Sequence, residues 1–180
     1  MTQQSLLNTD RLDIVPWSPA DAAAALAIFG RLEVTRWLTP AMASVDDEAE
    51  MTDTFDRWAK EDLESDFPVG HWAVRRRADD QLVGSIAVRR LPPGHEDLEL
   101  ASQFAPEYWG QGFATEASRG VALWAFKNSA HELFAVMRRA NEPAKKLALR
   151  LGMQWVGETD KYYGLRLDVY RVRPPELTQL

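Results

Sequence analysis

The chain is 180 residues long, 46% hydrophobic and 27% charged, which suits one soluble globular domain, spanning 1–180, with a core of its own. The absence of cysteine excludes disulfides, thiolate metal sites and thiol nucleophiles. A net charge of −6 argues against a dedicated nucleic-acid binder, and His71, His95 and His131 lie too far apart in sequence to suggest a metal cluster.

The start, MTQQSLLNTDR, has neither a basic segment nor a long apolar run, and no stretch approaches the roughly 18 apolar residues of a membrane span. A cytoplasmic protein without a membrane partner is expected. Residues 11–15 alternate and stop at Pro16, as a first strand does. Ser18-Pro-Ala-Asp21 is a helix start: a Ser cap, Pro at the first helical position, an acid at the third. Ala22, Leu26, Phe29 and Leu32 follow at helical spacing, and Gly30 suggests fraying. Trp37-Leu-Thr-Pro40 reads as loop. Asp46 or Asp47 opens a second helix with Met51, Phe55, Trp58 and Ala59 on one face. Its other face belongs to an acidic run: between 44 and 66 ten acids stand against Arg57 and Lys60, a pattern that serves either as a solvated face or as a field for a cationic partner.

Residues 71–75 and 82–91 are two strands around a hairpin at 78–81. After a turn at Pro92-Pro-Gly-His95 comes a strand at 97–105. Leu98, Leu100, Ser102 and Phe104 share one side of it, and Glu99, Ala101 and Gln103 the other. A helix over Phe113–Lys127 buries Ala114, Ala117, Val121 and Trp124. Residues 132–138 form another strand. Asn141-Glu-Pro143 starts a short helix with Ala144, Leu147, Ala148 and Leu151 inward, and Gly152 ends it. Residues 153–159 and 165–172 close the chain as a hairpin. Trp72, Trp124 and Trp155 fall on regular elements and are expected in the core. The order implies a mixed α+β fold with helices on a sheet.

Between the strand at 97–105 and the helix that follows sit Gly110 and Gly112. They permit φ > 0 and let another molecule approach with no Cβ in the way. The helix adds unpaired N–H groups and the positive end of its dipole. Strand, glycine turn and helix N-terminus make a phosphate cradle, although the same pattern also serves as an ordinary strand-to-helix turn.

Three blocks carry a resemblance. Trp109-Gly-Gln-Gly-Phe-Ala114 resembles the phosphate loop of the GCN5-related N-acetyltransferases. Asn141-Glu-Pro-Ala-Lys-Lys-Leu-Ala-Leu-Arg-Leu-Gly-Met153 is similar to their Asn-led helix. Thr9-Asp-Arg-Leu12 and Asp168-Val-Tyr-Arg171 resemble the two ends of the branch holding the ribosomal-protein N-terminal-alanine acetyltransferases. The resemblance implies a mostly antiparallel sheet of six or seven strands, splayed between the fourth and fifth, flanked by about four helices. It implies acetyl-CoA as cosubstrate and no metal. Gln103, Phe104 and Ala105 would face the pantetheine. Main-chain groups of Gly110, Gln111, Gly112, Phe113, Ala114 and Thr115 would hold the diphosphate. Asn141, Lys146 and Arg119 would complete the cofactor site. The acceptor implied is a primary amine, on a small molecule or a protein N-terminus.

The implied reaction is direct attack of the amine on the thioester, which needs alignment and a neutral amine. Glu99 is the leading base, with Ser102 a second polar candidate on the same strand. Trp37, His71 and Tyr162 are candidates for the acceptor site, with Tyr163 beside them. The chain departs from its relatives at Ala144 and Ala148, where many carry Ser and Tyr, so this helix offers no proton donor. A non-catalytic acyl-CoA-binding protein is the rival reading, and a homodimer is compatible with the exposed strand edges.

Overall fold

The computed structural model describes residues 5–38, 40–66 and 68–177. Thr39, inside the expected loop, lies outside them. The strands are β1 (Leu7–Asn8), β2 (Leu12–Pro16), β3 (Gly70–Arg76), β4 (Gln81–Arg90), β5 (Leu98–Phe104), β6 (Leu133–Met137), β7 (Gln154–Thr159) and β8 (Leu167–Val172). The helices are α1 (Ala22–Phe29), α2 (Leu32–Thr35), α3 (Glu48–Glu64), α4 (Phe113–Lys127) and α5 (Glu142–Arg150).

All the strands join one sheet in the order β1-β2-β3-β4-β5-β6-β8-β7. Every neighbouring pair is antiparallel except β5 and β6. These two run parallel because α4 is a crossover between them, and they meet only at Glu99 opposite Phe134. The expected splay is therefore present, between β5 and β6. The strand beyond the expected count is the two-residue β1.

Local signals explain the helix boundaries. Ser18 and Asp21 form a reciprocal capping box ahead of α1. Asp47 caps α3, its Oδ1 accepting from Glu50 N–H at 2.9 Å. The extra helix, α2, arises at Gly30. A Cβ there would stand 2.8 Å from the Leu26 carbonyl oxygen, so the glycine lets α1 stop against its own last turn and the chain restart. Leu32, expected on the buried stripe, is exposed on the restarted turn.

Alternation along the strands divides the core. Ile14, Trp72, Val74, Ile86, Val88, Leu100 and Phe104 pack with Ala117, Val121 and Ala125 of α4. On the other face Val15 and Ala73 pack with Ile28, Phe29, Met51 and Phe55 of α1 and α3. Two expected core positions are corrected. Ala59 is exposed, and Thr54 takes a buried place on α3. Trp155 is 57% exposed, because β7 is the outer edge of the sheet and only one strand flanks it.

Candidate active site

Past Glu99, β5 and β6 diverge, and a cleft of about 650 Å³ opens along the gap. That volume suits a small-molecule or cofactor site. One end is lined by Gly110, Gly112, Phe113, Ala114 and Thr115, with Asn141 and Lys146 of the α5 region. The other is lined by Val34, Trp37, Leu38, Arg89, Glu99, Tyr163 and Leu165. Glu99 lies on the sheet face opposite Leu100 and Phe104, so the cleft passes through the sheet from the α4 side to the α1–α3 side.

At the first end, Gly110 and Gly112 have φ of +76° and +82°, the left-handed region glycine tolerates best. A Cβ on Gly110 would meet no protein atom within 4 Å. No side chain caps α4, so its leading N–H groups face the cleft with the dipole behind them. This fits an anionic ligand held by main-chain donors.

The turn is braced from the connection between β1 and β2. Arg11 donates through Nε to Glu116 Oε2 at 2.7 Å and through Nη1 to the Gln111 carbonyl at 3.0 Å. Its guanidinium lies 4.7 Å from the Phe113 ring centroid. Glu116 Oε1 also accepts from Thr9 Oγ1 at 2.6 Å and Arg11 N–H at 2.8 Å. Burial works to raise the Glu116 carboxyl, but the Thr9 and Arg11 donors outweigh it and hold the group below the ordinary carboxylate value. The Thr9-Asp-Arg-Leu12 block was visible in the sequence only as a resemblance; its physical task is this brace. Trp109 adds a second tie, its indole N–H donating to the Phe104 carbonyl at 2.8 Å.

The strand register corrects part of the pantetheine expectation. Ala105 N–H donates to Val83 C=O at 3.1 Å. Antiparallel alternation then turns the main chain of Ala105 and Gln103 toward β4, and that of Ser102 and Phe104 toward the gap. Gln103 and Phe104 line the cleft; Ala105 is buried under α1 and does not. Gln111 contributes its carbonyl to Arg11 and its side chain to the Glu107 carbonyl, and Arg119 lies outside the lining. Asn141 caps α5, its Oδ1 accepting from Ala144 N–H at 3.2 Å. Ala148 is buried.

At the other end, Glu99 is 4% exposed. Its Oε2 accepts from Arg89 Nε at 2.7 Å and from Tyr163 OH at 3.4 Å. Burial and the Glu99 charge push the Tyr163 hydroxyl up to about 12, so at neutral pH it is a proton-bearing donor. Ser102 lies on the α4 face, its Oγ accepting from Ser118 Oγ at 3.5 Å. Two expected acceptor residues are corrected. His71 lies outside the cleft, with Nδ1 2.7 Å from Asp62 Oδ1 and its ring stacked on Trp58 at 5.0 Å. Tyr162 turns away to donate to Asp97 at 2.6 Å, and Tyr163 takes the place in the lining. Arg89 is the residue sequence reasoning missed. Its position directly across from Glu99 depends on strand register, which no local pattern in the chain announces.

Residues 11–154 match the family model described as "Acetyltransferase (GNAT) domain". The chain belongs to the GNAT acetyltransferase family. Among curated relatives this acetyltransferase is 30% identical over 159 residues to the uncharacterized N-acetyltransferase YoaA of Bacillus subtilis, covering 87% of each chain. Solved structures share the fold. An acetyltransferase from Agrobacterium tumefaciens superposes with a TM-score of 0.75 at 19% identity, covering 96% of both chains. The ribosomal-protein-S5-alanine acetyltransferase of Vibrio fischeri gives 0.73 at 15% identity, covering 96% of this chain and 98% of that one. Among the described residues of this acetyltransferase, no helix is long and apolar enough to cross a membrane.

Proposed function

We propose that this acetyltransferase moves the acetyl group of acetyl-CoA to a primary amine by direct attack. The observation that carries the reading is the uncapped N-terminus of α4, with two left-handed glycines before it, opening into a cleft that ends at Glu99. The diphosphate would lie on the N–H groups of residues 110–115. The pantetheine arm would run along the β5–β6 gap against the main chain of Ser102 and Phe104. Asn141 lines the same cleft and its cap uses only Oδ1, so its side-chain N–H₂ would be available to the cofactor, and Lys146 would meet a phosphate.

In the step itself the amine nitrogen bonds the acetyl carbon, the C–S bond breaks, and the sulfur keeps the electron pair. The amine's proton passes to Glu99, directly or through water. Arg89 Nε holds Glu99 through Oε2, which leaves Oε1 within the cleft to take that proton. The leaving thiol, with an ordinary pKa near ~8.5, tolerates departure without an acid from α5. Calorimetry with CoA and a thiol-release assay over a panel of amines test the reading. Heat from CoA with thiol release supports it; no heat from CoA, or heat without turnover on any amine, overturns it.

A further inference from the structure

At the floor of the acceptor end two opposite charges stand side by side with unused valences. Arg89 and Glu99 are directly opposed on β4 and β5, and their side chains are 25% and 6% exposed. Their mutual bond uses Arg89 Nε and Glu99 Oε2. Arg89 Nη1 and Nη2 donate to no described residue, and no described residue donates to Glu99 Oε1. Arg89 lines the cleft, and the walls beside it are Trp37, Leu38, Leu165 and Leu167.

The charge balance restricts what such a floor accepts. Glu99 matches the Arg89 charge, and Glu61 of α3 also bears on the guanidinium. A simple anion therefore finds no net attraction. A simple cation meets Glu99 but leaves the Arg89 Nη groups without partners once water is displaced, which is costly for a half-buried charged donor. A molecule carrying both charged groups on one carbon satisfies both, because a guanidinium edge matches a carboxylate in two parallel bonds. In a protein N-terminus the group beside the amine is a neutral peptide carbonyl, a poorer partner.

We infer that the acceptor is a free α-amino acid with an apolar side chain, an inference that rests on the acetyl-transfer reading above. The amine lies at Glu99, the carboxylate on the Nη edge of Arg89, and the side chain among Trp37, Leu38, Leu165 and Leu167. Amino acid and acetyl-CoA give N-acetyl amino acid, CoA and one proton, which leaves through Glu99 to solvent. The product has lost its positive charge and faces Glu99 and Glu61 as a plain anion, which favours release.

Thiol release is measured on the full chain with saturating acetyl-CoA. Leucine, phenylalanine and tryptophan are compared with their α-amides, their decarboxylated amines and short peptides bearing the same first residue. The acids should exceed amides, amines and peptides in kcat/KM by about tenfold or more, the difference between charged and neutral hydrogen bonds. Arg89→Gln should bring the acids down to the level of the amides. If that variant does not fold, the comparison on the unaltered protein still decides. Amides or peptides turned over as well as the acids would overturn the acceptor assignment and leave acetyl transfer standing. No release from any amine would remove both.

Discussion

Glu99 shows how one residue's neighbours set its chemistry. On the sequence it is a carboxylate on a strand beside the glycine turn. In the fold it is buried, with Arg89 and Tyr163 both on Oε2 and Oε1 left over. Those two donors fix the orientation of the carboxyl group, and its other oxygen is left to an amine or water. Loss of a positioned general base typically costs 10²–10⁴-fold. Glu99→Gln is expected to lower kcat by about a hundredfold or more with the dissociation constant for CoA within about twofold, because the cofactor end lies on the other side of the sheet. Steady-state kinetics paired with calorimetry check it; an unchanged kcat would remove Glu99 from the reaction. Tyr163 holds φ of +54°, a strained conformation for a tyrosine, which brings its hydroxyl to Glu99.

At the scale of the element, the unit is the turn and α4 together with its brace. Gly110→Ala places a methyl where no protein atom lies within 4 Å, so folding stability should fall only by the cost of a left-handed alanine, about 1–2 kcal/mol. CoA affinity should fall by about tenfold or more, since the methyl stands where main-chain donors meet the ligand. Chemical denaturation and calorimetry read the two effects separately. The Arg11–Glu116 pair makes a sharper case. Glu116 puts a carboxylate in the first turn of a helix that is to hold an anion, and Arg11 offsets it at 2.7 Å. Arg11→Ala should weaken CoA binding by about five- to tenfold, the usual range of a partly buried charge interaction. In the double variant Arg11→Ala/Glu116→Gln most of that loss should be recovered. A double variant no better than the single one would show that Arg11 acts on the turn without regard to Glu116's charge.

Over the whole molecule, two carboxylates join distant segments. Glu116 links α4 to the β1–β2 turn. Asp97 links the start of β5 to the β7–β8 loop through Lys161 Nζ at 2.7 Å and Tyr162 OH at 2.6 Å. Burial works to raise Asp97, but these two partners outweigh it and hold the group below its ordinary value. Both carboxyls bind protons less readily folded than unfolded. Their contribution is therefore fully present above the ordinary carboxylate range near pH ~4 and is lost as pH falls through the depressed values. Denaturation midpoints taken from pH 7 down to pH 3 should drop in the unaltered chain. The drop should be smaller in Asp97→Asn and Glu116→Gln, which start lower at neutral pH. Equal slopes in all three would show that these links do not set acid stability. In the interior, Ile86→Ala leaves a void at a fully buried site and should cost about 2–5 kcal/mol.

The glycine turn, the helix over Phe113–Lys127, the capped start at Ser18 and an acid cap at Asp46 or Asp47 were legible in the chain, whereas the splay of the sheet was expected only from the family resemblance. Each legible feature rests on interactions within a few residues or on a periodicity that one element carries by itself. The partners of those elements were not legible. That Arg89 faces Glu99, that Arg11 reaches Glu116 across more than a hundred positions, that Tyr163 rather than Tyr162 enters the cleft, and that Trp155 stands in solvent all follow from strand register and strand order. These are settled when the sheet closes and side chains far apart along the backbone compete for the same space and charge. Local pattern decided what each segment becomes; only the assembled sheet decided which charges meet at the floor of the cleft.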